Sequence, residues 1–301
     1  MSLLTQWIES LAETIEINDG CLRKISPFST CSKCMDICDA DAILLNNGKP
    51  EIDEEKCTLC TKCIPECVVH AIEGNVPKRE VIHDTLMYNE EMAPSRTELL
   101  YYHKHHVVKI AAENELTEEW KQQLENANQY LHAMELEPFQ IIKEKPQQAT
   151  VEFTRRNLFR HFAKEGKGLA LSAFTPAKWR YNQKLFSLNK AYPDWYFYEV
   201  EMDREKCHLC NICYKLCPTK VFEIHENTLT MDLSKCNGCQ LCQDVCQEKA
   251  ITVSEYVHPK TIKEQSLYSI TCPTCKNKFL NWDLEDKNCF VCERKMNFVL
   301  K

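Results

Sequence analysis

Glycine is scarce in this sequence: six in 301 residues, at positions 20, 48, 74, 166, 168 and 238. Neither G-x-G-x-x-G nor G-x-x-x-x-G-K-S/T can be written from them. The usual backbone cradles for dinucleotides and nucleotide phosphates are therefore missing, which argues against intrinsic flavin, NAD or ATP chemistry. No stretch approaches the roughly 18 consecutive apolar residues of a spanning helix, and the N-terminus lacks a basic region followed by an apolar one, so the expected location is the cytoplasm. Positive charge is also in deficit, with 37 Lys and Arg against 44 Asp and Glu, a net charge of −7. A general nucleic-acid binder needs surplus cations to neutralise phosphates, so nucleic acid is not an expected partner. An acidic surface suits docking to a basic protein.

Cysteine, by contrast, is abundant, at twenty residues. In a small secreted chain that number would suggest a disulfide framework. Here the chain is long, charged and untargeted, and its thiols fall in C-x2-C groups, which favours metal ligation.

Four segments repeat. Each ends in a cysteine followed four and five residues later by two apolar residues: Cys38 with Ala42 and Ile43, Cys67 with Ala71 and Ile72, Cys217 with Val221 and Phe222, Cys246 with Ala250 and Ile251. Three share a lead-in: Ile52-Asp53-x-x-Lys56-Cys57, Met202-Asp203-x-x-Lys206-Cys207 and Met231-Asp232-x-x-Lys235-Cys236. One supersecondary unit is thus written four times. The repeats pair off, because Cys38 to Cys57 and Cys217 to Cys236 are both 19 positions apart. Each pair reads as a domain, and the flanks "AILLNNGKPEID" and "VFEIHENTLTMD" read as short hairpins.

Residues 2–15 set Leu3, Leu4, Trp7, Ile8, Leu11 and Ile15 on one helical face. Between the cysteine pairs, "SRTELLYYHKHH" predicts a helix, "VVKIAAE" a strand, "TEEWKQQLENANQYLHAM" a helix and "FQIIKE" a strand, together a small α/β insert. From 153 to 190, nine Lys or Arg face the single acid Glu165, a net of +8. This stretch is either a solvated linker or a docking surface for an acidic partner or, peripherally, an anionic membrane. The expected organisation is 1–80, N-terminal helix and first cysteine pair; 81–150, insert; 151–195, basic linker; 196–257, second pair; 258–301, a C-terminal segment.

Three repeats carry C-x2-C-x2-C-x3-C in full: Cys57-Cys60-Cys63-Cys67, Cys207-Cys210-Cys213-Cys217 and Cys236-Cys239-Cys242-Cys246. The first reads Cys21, nine residues, then Cys31-x2-Cys34-x3-Cys38, as if seven residues had been inserted. The count agrees, since Cys21 to Cys57 spans 36 positions and Cys207 to Cys236 spans 29, and 36 − 29 = 7. Both pairs resemble bacterial two-cluster 4Fe–4S ferredoxins, over about 16–75 and 198–255, in which the fourth cysteine of a run ligates the other cluster. Carried onto this chain, that crossed ligation implies four sites: Cys21, Cys31, Cys34 and Cys67; Cys57, Cys60, Cys63 and Cys38; Cys207, Cys210, Cys213 and Cys246; Cys236, Cys239, Cys242 and Cys217. The family's proline after the fourth cysteine is kept only as Pro218.

Four thiols remain, Cys272-x2-Cys275 and, thirteen residues on, Cys289-x2-Cys292. Two such knuckles read as a closed four-thiolate site like a zinc ribbon. Rubredoxin iron is the alternative, but rubredoxins usually have glycine after the second cysteine of each knuckle, where Lys276 and Glu293 stand here, so zinc is favoured. The fold class expected is α+β, with two ferredoxin-like dicluster domains, the insert and a C-terminal zinc ribbon.

No cysteine is left over as a nucleophile and no catalytic triad or H-E-x-x-H is present, so no catalytic residue is assigned. His103, His105 and His106 are too close along one predicted helix to converge on an ion. His70 and His208, beside cluster cysteines, read first as loop residues, and Tyr101, Tyr102, Trp120 and Tyr130 read as insert core. "TRRNLF" and the cluster number make the chain similar in outline to accessory ferredoxins of molybdenum oxidoreductases, including the nitrate-reductase accessory family. The expectation is an electron carrier with four 4Fe–4S clusters, serving a larger oxidoreductase. The alternative is a maturation or scaffold factor for such an enzyme.

Overall fold

The computed structural model describes residues 15–74, 79–146, 187–285 and 287–299. The helix expected over 2–15, save Ile15, and the basic stretch 153–190, save its last four residues, lie outside the described residues. The content is mixed α and β. The chain divides into two compact units, one of Met1–Asn18, Lys33–Leu44 and Glu51–Ala191, the other of Asp19–Ser32, Leu45–Pro50 and Tyr192–Lys301.

In the first unit, β1 (Glu16–Ile17) runs antiparallel to a strand at Ile72–Glu73, and the expected hairpin forms as β2 (Ile43–Asn46) and β3 (Lys49–Ile52), of which 43–44 and 51–52 belong to this unit. The strand at Ile72–Glu73 is β4. Around them Ile43, Cys63, Ile64 and Ile72 form a small core onto which Ile15, Ile17 and Ile52 pack. The apolar pair after Cys38 and after Cys67 is thereby explained, because its second member, Ile43 or Ile72, is the strand residue that fills this core.

The insert forms a four-stranded sheet in the order β5 (Val81–Ile82), β6 (Thr85–Met87), β7 (Lys109–Ala111), β8 (Gln140–Ile142). The first two strands were not foreseen; they make an antiparallel pair joined through His83 at positive φ. The next two pairings are parallel, with helices Arg96–Lys104 and Glu118–Ala133 as crossovers. The shorter helix begins at Ser95, whose hydroxyl accepts from Glu98 N–H, the N-cap arrangement that satisfies an otherwise orphaned amide. The longer one buries Trp120, Leu124, Ala127 and Leu131, a stripe at helical spacing. The four aromatics expected in the insert core are buried there.

One ion pair sits inside this insert. Arg79 and Glu98 have side-chain exposures of 3% and 1%. The pair is bidentate, Nε to Oε1 at 2.9 Å and Nη2 to Oε2 at 3.0 Å. Arg79 also donates to the Met92 and Ala93 carbonyls, and Tyr102 Oη donates to Glu98 Oε1. All three guanidinium nitrogens and both carboxylate oxygens have hydrogen-bond partners, which is the condition under which a buried pair is tolerable.

In the second unit β9 (Trp195–Met202) runs antiparallel to the strand Ile251–Pro259, with a bulge between Glu255 and His258. The hairpin β10 (Phe222–His225) and β11 (Thr228–Asp232) is as expected. Numbering Ile251–Pro259 as β12, the strand β13 (Ile262–Ser266) joins β11 antiparallel, Leu229 facing Gln265, so residues expected in the C-terminal segment extend the dicluster sheet. A last hairpin, β14 (Tyr268–Thr271) with β15 (Lys278–Asn281), precedes the helix Phe290–Val299. Phe197, Val200, Phe222, Leu229, Met231 and Leu233 form the core.

Replacing Arg79 by Met, or Glu98 by Gln, strands a buried partner. Urea unfolding followed through Trp120 fluorescence is expected to show a loss of about 3–5 kcal/mol for Arg79→Met, most of it recovered in the double variant with Glu98→Leu.

Candidate metal centres

All four repeats end in the same backbone device. The third residue after the terminal cysteine takes positive φ: Asp41 at 48°, His70 at 55°, Lys220 at 55°, Lys249 at 50°. Its N–H donates to that cysteine's carbonyl at 3.0, 2.9, 3.3 and 3.0 Å in the same order. The bend turns the following N–H onto the sulfur: Ala42 to Cys38 Sγ at 3.3 Å, Ala71 to Cys67 at 3.2 Å, Val221 to Cys217 at 3.4 Å, Ala250 to Cys246 at 3.2 Å. Each terminal sulfur thus receives a main-chain hydrogen bond from the residue four places on.

The shared lead-in has an equally local reason. Asp53, Asp203 and Asp232 each accept the N–H two residues on, from Glu55, Glu205 and Ser234. Each also pairs with the lysine three residues on, Lys56, Lys206 or Lys235. Their backbone N–H groups bond across to the partner repeat: Asp53 to Ala42 O, Asp203 to Ala250 O and Asp232 to Val221 O, at 2.8, 2.8 and 2.9 Å. The fourth such bond is Asn18 N to Ala71 O at 2.8 Å. Asn18 therefore occupies the lead-in position of the first repeat. Sequence reasoning missed it because no Asp or Lys marks the place; the only signal was the apolar-then-Asn step at Ile17-Asn18.

The thiols gather in crossed sets. Cys38, Cys57, Cys60 and Cys63 line a cavity of about 20 Å³ in the first unit. The Cys63 thiol is pushed up to about 12, chiefly by burial and then by Cys60, Cys34 and Cys38. Cys207, Cys210, Cys213 and Cys246 line a cavity of about 70 Å³ in the second unit. Burial, then Cys207, Cys210 and Cys246, raises Cys213 to about 12. Around Cys217 stand Cys236, pushed up to about 12 by burial and then by Cys239 and Cys217, and Cys242, raised by burial and by Cys239, Cys236 and Cys217. Three thiols of one repeat thus meet the last thiol of its partner. Buried thiols with raised pKa values need a cation before they ionise, and iron of a 4Fe–4S cluster is a cation of the right softness for four thiolates. The donor sets fit the group.

Cys21 and Cys31 belong to the second unit, and Cys34 and Cys67 to the first. No single unit brings these four together. The extra loop between Cys21 and Cys31 is held within its own unit: Thr30 donates from N and Oγ1 to Asp244, at 2.8 and 2.9 Å, and Arg23 bonds the Thr30 and Cys31 carbonyls.

Gly238 separates Cys236 from Cys239 at φ +69°, and a Cβ there would lie 2.2 Å from Tyr198 Cε1. The equivalent residues Leu59 and Leu209 also have positive φ, so the conformation is tolerated but the space is not. Gly238→Ala is expected to cost about 2–4 kcal/mol from overpacking and left-handed strain. The thermal midpoint checks this, and adding Tyr198→Ala is expected to relieve the clash.

Cys272, Cys275, Cys289 and Cys292 bring four sulfurs within 4.8 Å of one another. Burial opposes ionisation of Cys272, but backbone N–H groups of Cys275, Cys289 and Thr274 outweigh it and hold the thiol down to about 6. Lys276 has φ 63°, so the knuckle turns in the left-handed region without glycine. This site leans on the Cys207 loop. Trp282 Nε1 donates to Cys207 O at 2.7 Å, Phe290 stacks on His208 at 4.6 Å, and Arg294 binds Glu248 at 2.8 Å. Replacing Cys289 and Cys292 by Ser is expected to speed amide hydrogen exchange at 207–210 by at least tenfold and leave 236–239 unchanged, since only the former loop loses its Trp282 anchor.

The histidines divide differently from expectation. His208 is stacked, not a free loop residue, and His70 Nδ1 is buried. His103 Nε2 meets Glu137 O, while His105 and His106 lie past the end of the helix at Lys104, His105 packing on Tyr101.

Comparison with protein-family models identifies a 4Fe-4S dicluster domain over residues 199–247, which spans the third and fourth repeats. No curated protein matches the chain. The second unit therefore carries a ferredoxin-type dicluster domain, and the chain is an iron–sulfur protein. Among the described residues no helix is long and apolar enough to cross a membrane.

Proposed function

We propose that the chain holds four 4Fe–4S clusters, two in each of two dicluster domains, and relays single electrons for a larger oxidoreductase as an accessory subunit. The observation that carries this reading is the repeated device described above, the same turn and the same N–H to Sγ bond at Cys38, Cys67, Cys217 and Cys246. Its occurrence twice in each half supports a second dicluster domain over about 16–75. The proposed ligand sets are Cys21, Cys31, Cys34 and Cys67; Cys57, Cys60, Cys63 and Cys38; Cys207, Cys210, Cys213 and Cys246; Cys236, Cys239, Cys242 and Cys217.

Each cluster supplies one-electron chemistry when bound. The protein's share is to hold sulfurs, aim amides at them and exclude water. The close thiols Cys275 and Cys289, 3.8 Å apart, with their partners Cys272 and Cys292, suit zinc in a ribbon-like closure that steadies the third set. The stretch 153–190, net +8, suits an acidic face of the oxidoreductase, and the proposed location is cytoplasmic.

Anaerobic analysis of the purified chain is expected to find about sixteen irons, as many acid-labile sulfides and about one zinc, with low-temperature EPR of interacting reduced clusters. Iron near eight per chain would confine the clusters to one half. Reduced clusters that no oxidoreductase partner reoxidises would favour the scaffold alternative.

A further inference from the structure

Thr61 stands between Cys60 and Cys63 and lines the cavity walled by Cys38, Cys57, Cys60 and Cys63. It is 8% exposed, and its Oγ1 is buried with no hydrogen-bond partner. A buried hydroxyl left unpaired is costly, so such an atom needs an account. The backbone adds a second, independent oddity. Thr61 has φ 63°, and a β-branched residue in the left-handed region is a genuine outlier. The matching positions of the third and fourth repeats carry Asn211 at 65° and Gln240 at 58°, side chains without a branch at Cβ. Strain of this kind persists where the site uses it.

Much of the rest of that cavity is apolar, with Ile15, Ile37, Ala40, Ala42, Ile43 and Ile52. Of the buried side-chain polar atoms without a partner among the described residues, Thr61 Oγ1, His70 Nδ1 and Thr117 Oγ1, only the first belongs to a residue lining this space. The remaining lining is the four cysteines with Thr58 and Lys62, and since Thr61 Oγ1 bonds to neither of those two, the acceptors left to it in this space are sulfurs.

We propose that Thr61 is a positioning residue that sets the reduction potential of the second cluster, by donating Oγ1–H to a cluster sulfide or ligand thiolate. This rests on the cluster reading above. The step it affects is one-electron reduction by a redox-protein partner or, in vitro, dithionite. One electron arrives at the cluster, no bond to Thr61 breaks, and its proton stays on oxygen. A donor stabilises the more negative reduced state, so losing it makes reduction harder.

The test is an EPR-monitored redox titration of the full chain with Thr61→Val, Thr61→Ser and, to assign the signal, Cys57→Ser. Valine keeps the branch and the shape and removes the hydroxyl. The expected result is unchanged iron and sulfide in Thr61→Val, with the reduced-to-oxidised ratio of one cluster about tenfold lower at a fixed potential, 59 mV for one electron. Thr61→Ser keeps the donor and titrates near the wild type. The shifted cluster is the one lost in Cys57→Ser. A Thr61→Val midpoint equal to wild type overturns the proposal, as does an equal shift in Thr61→Ser. Loss of the cluster in Thr61→Val alone overturns it too, in favour of a role in holding the cluster. If Cys57→Ser loses no iron, the cluster reading of this site fails first and the proposal with it.

Discussion

Sulfur that is buried and yet has to carry charge is the constraint on which the rest of this molecule depends. Desolvation first, and neighbouring thiols after it, drive Cys63, Cys213 and Cys236 toward the neutral thiol. On four other sulfurs, those of Cys38, Cys67, Cys217 and Cys246, the chain places amide donors through bends at the left-handed residues Asp41, His70, Lys220 and Lys249. Non-glycine residues in that region cost about 1–2 kcal/mol each. A cation bound at a preformed donor set repays folding strain of this kind.

The insert contributes rigidity where the cysteine loops have little of their own. Its helix Glu118–Ala133 presents Glu119 to Lys62, which also binds Asp39, at 2.7 and 2.6 Å. Burial would lower the Lys62 pKa, but these two carboxylates outweigh it and raise it, so the ammonium is fully charged at neutral pH. A lysine inside the Cys60–Cys63 turn is thereby fixed from two sides. At the other end of the chain, Trp282 does comparable work for the Cys207 loop through a single indole N–H.

Local signals made much of this legible in advance. The cysteine intervals located the repeats because ligand spacing is a property of a few consecutive residues, and the hairpins and insert helices followed from alternation and helical periodicity. The seven-residue insertion was countable, but not its anchorage, since Thr30 and Asp244 are 214 positions apart. Likewise, β13 has no pattern that distinguishes joining β11 from starting a separate module, and strands as short as β5 and β6 carry too few residues to show a period. Asn18 and Thr61 were invisible for different reasons. The first acts through its backbone, and the second matters through an orphaned hydroxyl and a dihedral angle, neither of which composition records.

The exchange of main-chain bonds between partner repeats, Asn18 with Ala71 and Asp53 with Ala42 in one half, Asp203 with Ala250 and Asp232 with Val221 in the other, bears on what can stand alone. A lone quarter would present an acceptor with no donor and three sulfurs with no fourth. The smallest piece in which each of these main-chain bonds finds both its ends is a couple, never a single.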